Sequence, residues 1–126
     1  MNKKKHIFKI IHKVYLFFII IYHYLTSTAF ITLASSALSL MLFNSWLFYQ
    51  AEMDINTKVD SFFDCIWWSV TTSTTVGYGD IAPITVLGKV VGMFAMISGA
   101  LMFTIFTGLF AQTLFQDEEF NQIFKD

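Results

Sequence analysis

The sequence of 126 residues has no arginine, one cysteine, one proline and little charge of either sign. Charged side chains make up 13% and hydrophobic ones 56%, whereas a soluble globular domain carries about 25% charge. So little polar surface cannot cover a globule in water, and the solvent for folding is lipid. The lone Cys65 excludes an internal disulfide framework and a cysteine metal cluster, and reads as a small apolar residue. A net charge of −1, with lysines gathered mostly at the amino end, excludes the basic face that a nucleic-acid partner requires. Serine, histidine and acidic residues fall on no catalytic spacing, so no enzyme is expected.

What is present is two apolar stretches, residues 25–49 and 89–115. Each is long enough to cross a hydrocarbon core of about 30 Å, which takes about 20 helical residues. Between them, residues 50–88 carry Glu52, Asp54, Lys58, Asp60, Asp64 and Asp80, and this mixed segment is expected outside. Lys3, Lys4, Lys5, Lys9 and Lys13 precede the first span, which by the positive-inside rule keeps the amino end in the cytoplasm. Two crossings return the tail, residues 116–126 with Asp117, Glu118, Glu119 and Lys125, to the same side as a solvated charged end. The expectation is an all-α, multi-pass protein of the cell membrane with both termini cytoplasmic.

Residues 14–49 as one straight helix would run to about 54 Å at about 1.5 Å per residue, too long for one crossing. The polar run Thr26-Ser27-Thr28 places a bend within residues 23–28. Lys5, Lys9 and Lys13 recur every four residues with His12 beside them, while Ile7, Ile10, Ile11, Val14 and Phe18 gather on the other side. Residues 1–24 therefore read as a basic amphipathic helix lying in the membrane interface, with its lysines set to meet anionic lipid. A cleavable signal peptide is the rival reading, although the apolar run continues well past the usual length of such a core. His6, His12 and His23 read as interfacial polar groups, with sensing of cytoplasmic pH as the alternative.

The most informative segment is Thr71-Thr72-Ser73-Thr74-Thr75-Val76-Gly77-Tyr78-Gly79-Asp80. It resembles the selectivity filter of potassium channels, Thr-Val-Gly-Tyr-Gly. Ahead of it, Asp60 and Ser61 are good helix caps for the aromatic stretch Phe62 to Val70, and after it come Pro83, Gly88 and the second span. Order and spacing match the two-span potassium-channel pore (outer span, pore helix, filter, inner span), and the resemblance itself covers residues 58–115, the amino third not carrying the signature. The resemblance implies a re-entrant pore helix and filter loop, and a homotetramer, since one loop cannot surround an ion and four chains must close the ring.

The chemistry fits these residue types. A potassium ion leaving water needs its oxygen shell replaced without a fixed charge to trap it, and backbone carbonyls do this. Aiming successive carbonyls at one axis puts alternate residues at unusual backbone angles, which Gly77 and Gly79 reach without a Cβ clash. The filter is thus Thr75, Val76, Gly77, Tyr78 and Gly79, with potassium held at Thr75, Val76, Gly77 and Tyr78, the Thr75 hydroxyl adding an oxygen at the cytoplasmic end. Potassium is the cargo, and no cofactor is expected.

The resemblance further implies a cuff behind the filter from Trp67, Trp68, Thr71 and Asp80, with an indole N–H donating to the aspartate and a place in the interfacial aromatic belt as the alternative for the two tryptophans. Thr71 departs from several bacterial relatives, which have an acidic residue there. On the inner span Phe103, Thr107, Ala111 and Phe115 recur every four residues, a stripe expected to line the cavity and gate, with helix packing as the alternative. Gly99 sits where similar channels have a bending glycine, with close packing as the alternative reading. Neither span has basic residues at every third position, the pattern of a voltage sensor. A non-selective cation channel would be expected to lose Tyr78 or the second glycine, a potassium-uptake transporter carries four such loops in one chain, and a non-conducting partner has no need of an intact filter.

Overall fold

The computed structural model describes the backbone of residues 3–116 and the side chains of residues 7–8 and 10–115. The side chains of Lys3, Lys4, Lys5 and Lys9 and the expected tail at 117–126 lie outside the described residues. Within them all regular secondary structure is helical: α1 (Lys3–Thr26), α2 (Thr28–Glu52), α3 (Phe62–Ser73) and α4 (Val86–Gln116). The helices α2 and α4 are each long and apolar enough to cross a membrane.

The helices contribute to two compact units, Met1–Thr32 with Phe106–Asp126, and Leu33–Ile105. In the first unit the chain breaks at Ser27. The Ser27 hydroxyl donates to the Tyr24 carbonyl at 2.7 Å and accepts from the Phe30 N–H at 3.2 Å, closing α1 and opening α2 with one side chain. Tyr24 donates its phenol to the Phe106 carbonyl at 3.0 Å, and its ring meets Phe30 and Phe110 edge-on with centroids 4.9 and 5.3 Å away. A buried tyrosine needs a partner for its hydroxyl, and here the inner helix supplies one.

In the second unit the pore helix α3 packs between α2 and α4 around a core of Phe48, Val59, Cys65, Trp68, Val91 and Ala95. Its start is a capping box: the Asp64 N–H donates to the Ser61 hydroxyl at 3.4 Å, and the Ser61 N–H donates back to Asp64 Oδ2 at 2.8 Å. The Ser61 hydroxyl also donates to Asp64 Oδ2 at 2.9 Å, and this bond first, with the Ser61 and Asp60 N–H groups behind it, holds the Asp64 carboxyl below its ordinary range. On the outer faces, Leu42, Phe43 and Trp46 of α2 and Phe94, Ile97 and Leu101 of α4 are exposed, as expected of helices facing lipid or other copies of the chain.

The helix boundaries differ from those read from sequence. The outer helix ends at Glu52 rather than at 49, because Glu52 is buried and bonded rather than solvated. The inner helix begins at Val86 rather than at 89, because the Thr85 hydroxyl accepts from the Gly88 N–H at 2.8 Å and caps it three residues early.

Candidate functional site

The pore helix ends with carbonyls that have no partner inside the helix. The loop that follows supplies them: Thr74 N–H donates to Val70 O at 3.0 Å, Thr75 N–H to Thr72 O at 3.1 Å, and Gly77 N–H to Thr71 O at 3.0 Å. The segment that carries the filter motif is thereby tied to the helix end.

Along this segment the positive φ angles are 62° at Thr75, 52° at Gly77 and 75° at Gly79. Every second residue is left-handed, the alternation that lets successive carbonyls share one direction. A Cβ at Gly77 or Gly79 would meet nothing within 4 Å in this subunit, so glycine is required for its backbone angle rather than for room. Sequence reading assigned such angles to the glycines alone. Thr75 joins them at a cost of about 1–3 kcal/mol, met in part by its N–H bond to Thr72. Its place two residues before Gly77 was the available signal.

Beside the filter, Trp67 Nε1 donates to Asp80 Oδ2 at 2.8 Å, and the Trp67 ring lies parallel to Tyr78 with centroids 5.5 Å apart. The indole bond, more than any other contact, holds the Asp80 carboxyl below the usual carboxylate range, with the Ile81 N–H and the charge of Lys58 adding to it.

Trp68 and Thr71 have other partners within the chain. Trp68 is 3% exposed and stacks on Phe48 of the outer helix at 3.6 Å and 13°, and the Thr71 hydroxyl donates to the Trp68 carbonyl at 3.1 Å. Successive helical residues are about 100° apart, so the two neighbouring indoles meet different partners within the chain. On the same side, the Ser69 hydroxyl donates to the Met41 carbonyl at 2.8 Å and pins the pore helix to α2.

Of the two readings of Gly99, close packing has support in the contacts of this residue. Helix α4 is continuous through it, and a Cβ there would lie 2.6 Å from Ser73 Cα and nearer still to the Ser73 carbonyl oxygen. Only glycine lets the inner helix approach the end of the pore helix this closely. Of the stripe further along α4, Phe103, Thr107 and Phe115 are exposed and Ala111 is half-buried in the single chain.

Sequence reading also missed a buried network at the outer end. Glu52, counted there among the outside charges, is 0% exposed. Its carboxylate accepts from the Ile84 N–H at 3.0 Å, the Thr85 N–H at 2.9 Å, the Thr85 hydroxyl at 2.7 Å and Asn56 Nδ2 at 2.8 Å. It lies against Gly88, where a Cβ would fall 2.8 Å from Glu52 Cδ. A negative group at the start of α4 also suits the helix dipole. The signal was an acid closing an otherwise uncharged apolar run. A groove of about 640 Å³ opens beside the filter, lined by Trp68, Thr75, Gly77, Ile81, Met93 and Met96 among others.

The comparisons agree with this geometry. Residues 9–116 match the Ion_trans_2 family, described as ion channel. A voltage-gated potassium channel of Aeropyrum pernix is 42% identical over 69 residues, which are 54% of this chain and 23% of that protein. The potassium voltage-gated channel subfamily A member 7 is 44% identical over 69 residues in mouse and 46% over 72 in human, covering 54% of this chain and 14% and 15% of those proteins. This chain thus spans less than a quarter of the length of each of these relatives. A family match over most of the sequence, on a helical frame with two apolar spans, makes this chain a member of the ion-channel family.

Proposed function

We propose that the chain is the pore-forming subunit of a potassium-selective channel, four copies of which surround one conduction path. The observation that carries this reading is the alternation of positive φ at Thr75, Gly77 and Gly79 within the Thr-Val-Gly-Tyr-Gly segment. Carbonyls of Thr75, Val76, Gly77 and Tyr78, together with the Thr75 hydroxyl, replace the hydration shell of potassium as it passes. Sodium is smaller and gains less from the same oxygens. The carbonyl end of the pore helix favours a cation waiting below.

Two features support assembly. One loop leaves the ion open to lipid on three sides, and non-helical backbone at membrane depth must be covered by protein. The groove beside the filter and the half-exposed Trp67 and Tyr78 rings offer each copy something to receive and something to insert, the head-to-tail arrangement that closes a ring. The stripe Phe103, Thr107, Ala111 and Phe115 closes the path by dewetting. Lys3, Lys4, Lys5, Lys9 and Lys13 hold α1 against anionic lipid on the cytoplasmic face of the cell membrane, where both termini lie. Purified protein in liposomes should release potassium and rubidium down a gradient and run as four chains in native mass spectrometry. Liposomes that release neither ion would overturn this reading.

A further inference from the structure

Asn56 lies four residues beyond the last residue of α2 and is 4% exposed. Its Nδ2 donates to Glu52 Oε2 at 2.8 Å and to the Ala82 carbonyl at 2.9 Å, while its Oδ1 accepts from the Lys58 N–H at 3.2 Å. The partners themselves fix which way the amide points. A carboxylate and a carbonyl can only accept, and a backbone N–H can only donate.

Glu52 and the Ala82 carbonyl are both acceptors, so neither can bond the other. The amide NH₂ carries two donors on one atom, whereas a hydroxyl carries one and a carboxylate none. Asn56 is therefore an adapter between two acceptors. Its position matters because, among the described residues, the other side-chain hydrogen bonds to the chain from Asp80 to Thr85 fall near its ends, from Trp67 at Asp80 and to Glu52 from Ile84 and Thr85, with Ile81 packed against the core. Pro83 has no N–H to offer the carboxylate. The Asn56 contact grips the middle of this stretch, two residues beyond Asp80.

We propose that Asn56 is a positioning residue for the outer mouth of the filter, tying Ala82 to the buried Glu52 carboxylate and so setting how long the filter stays conducting. The proposal rests on the reading of the chain as a potassium channel. The ionisable groups of the elements packed here are Tyr49 and Glu52 on α2, Asp54, Lys58 and Asp60 in the loop, Asp64 and Cys65 on α3, Tyr78 and Asp80 in the filter segment and Lys89 on α4. Burial pushes the Cys65 thiol up to about 11, out of the working range. Of these side chains, Glu52 is the one bonded to that of Asn56.

The test replaces the donors while keeping the size. Asn56→Asp sets a second carboxyl against Glu52. At high pH both ionise and repel, and at low pH a shared proton relinks the two without supplying a donor for Ala82. Asn56→Leu removes both donors without adding charge. Sustained potassium currents from the reconstituted full chain should decay about five- to ten-fold faster in either variant, the effect of one buried acceptor left unpaired. In Asn56→Asp the decay should slow again as external pH falls from about 8 to about 5, whereas Asn56→Leu and the unchanged protein stay flat over that range. The potassium-to-sodium preference should be unaltered in both. Decay matching the unchanged protein in both variants at every pH would overturn the proposal. If Asn56→Leu fails to assemble, the pH response of Asn56→Asp decides alone. Absence of potassium current from the unchanged protein would instead overturn the channel reading on which the proposal rests.

Discussion

The two faces of the pore helix differ in what holds them. Toward the filter, contacts are polar and directional: Trp67 to Asp80, and the Thr74, Thr75 and Gly77 amides to the helix-end carbonyls, with three residues at positive φ. Toward the outer helix, contacts are mainly apolar and close-packed, led by the Phe48–Trp68 stack over buried Cys65. Adjacent tryptophans thus belong to different physical regimes. The filter face keeps a strained backbone in place by a few bonds with fixed geometry. The back face supplies the burial that makes such strain tolerable.

If this contrast holds, mutations should separate by face. The largest effect is expected from Gly77→Ala. A side chain at a left-handed position costs roughly 1–2 kcal/mol in every copy, and potassium conduction should vanish while the protein still reaches the membrane and assembles. Normal single-channel currents from this variant would remove the filter assignment.

Next come the two indoles. Trp68→Ala empties the core against Phe48 and should cost about 3–5 kcal/mol in stability, read as a fall in the thermal midpoint of the assembled protein. Trp67→Phe keeps its ring but loses the bond to Asp80, and should alter the lifetime of the conducting state with the thermal midpoint and selectivity little changed. Equal thermal losses in the two variants would erase the contrast between faces.

The smallest expected effect is that of external pH. The Asp80 carboxyl is held below its ordinary range, so the stabilisation it brings is complete above the ordinary aspartate value of about 3.9 and is lost only as pH falls through the lower value it has when folded. Decay of sustained current should therefore be flat between about pH 5 and 8. Thr71 supplies no second carboxyl beside Asp80 to share a proton. A titration of the decay rate in that window would show that another group controls the filter.

Much of the frame was legible in the sequence because it is local. Span length, the Asp60-Ser61 cap and the glycine spacing each act over a few residues. What escaped depends on partners far along the chain. Glu52 looked like a solvated acid until Ile84 and Thr85, more than thirty residues on, were seen to donate to it. Gly99 read as hinge or packing residue, and the Ser73 backbone that lies against it is 26 residues away in the chain. The stack of Trp68 on Phe48 joins residues twenty apart on two helices, which sequence alone does not pair.

The most direct test of the central claim is the reversal potential of reconstituted channels with potassium on one side and sodium on the other. The geometry at Thr75, Gly77 and Gly79 predicts a potential close to that of a potassium electrode, moving with the potassium gradient and restored when rubidium replaces potassium. A reversal potential near zero, unmoved when sodium and potassium are exchanged, would contradict it.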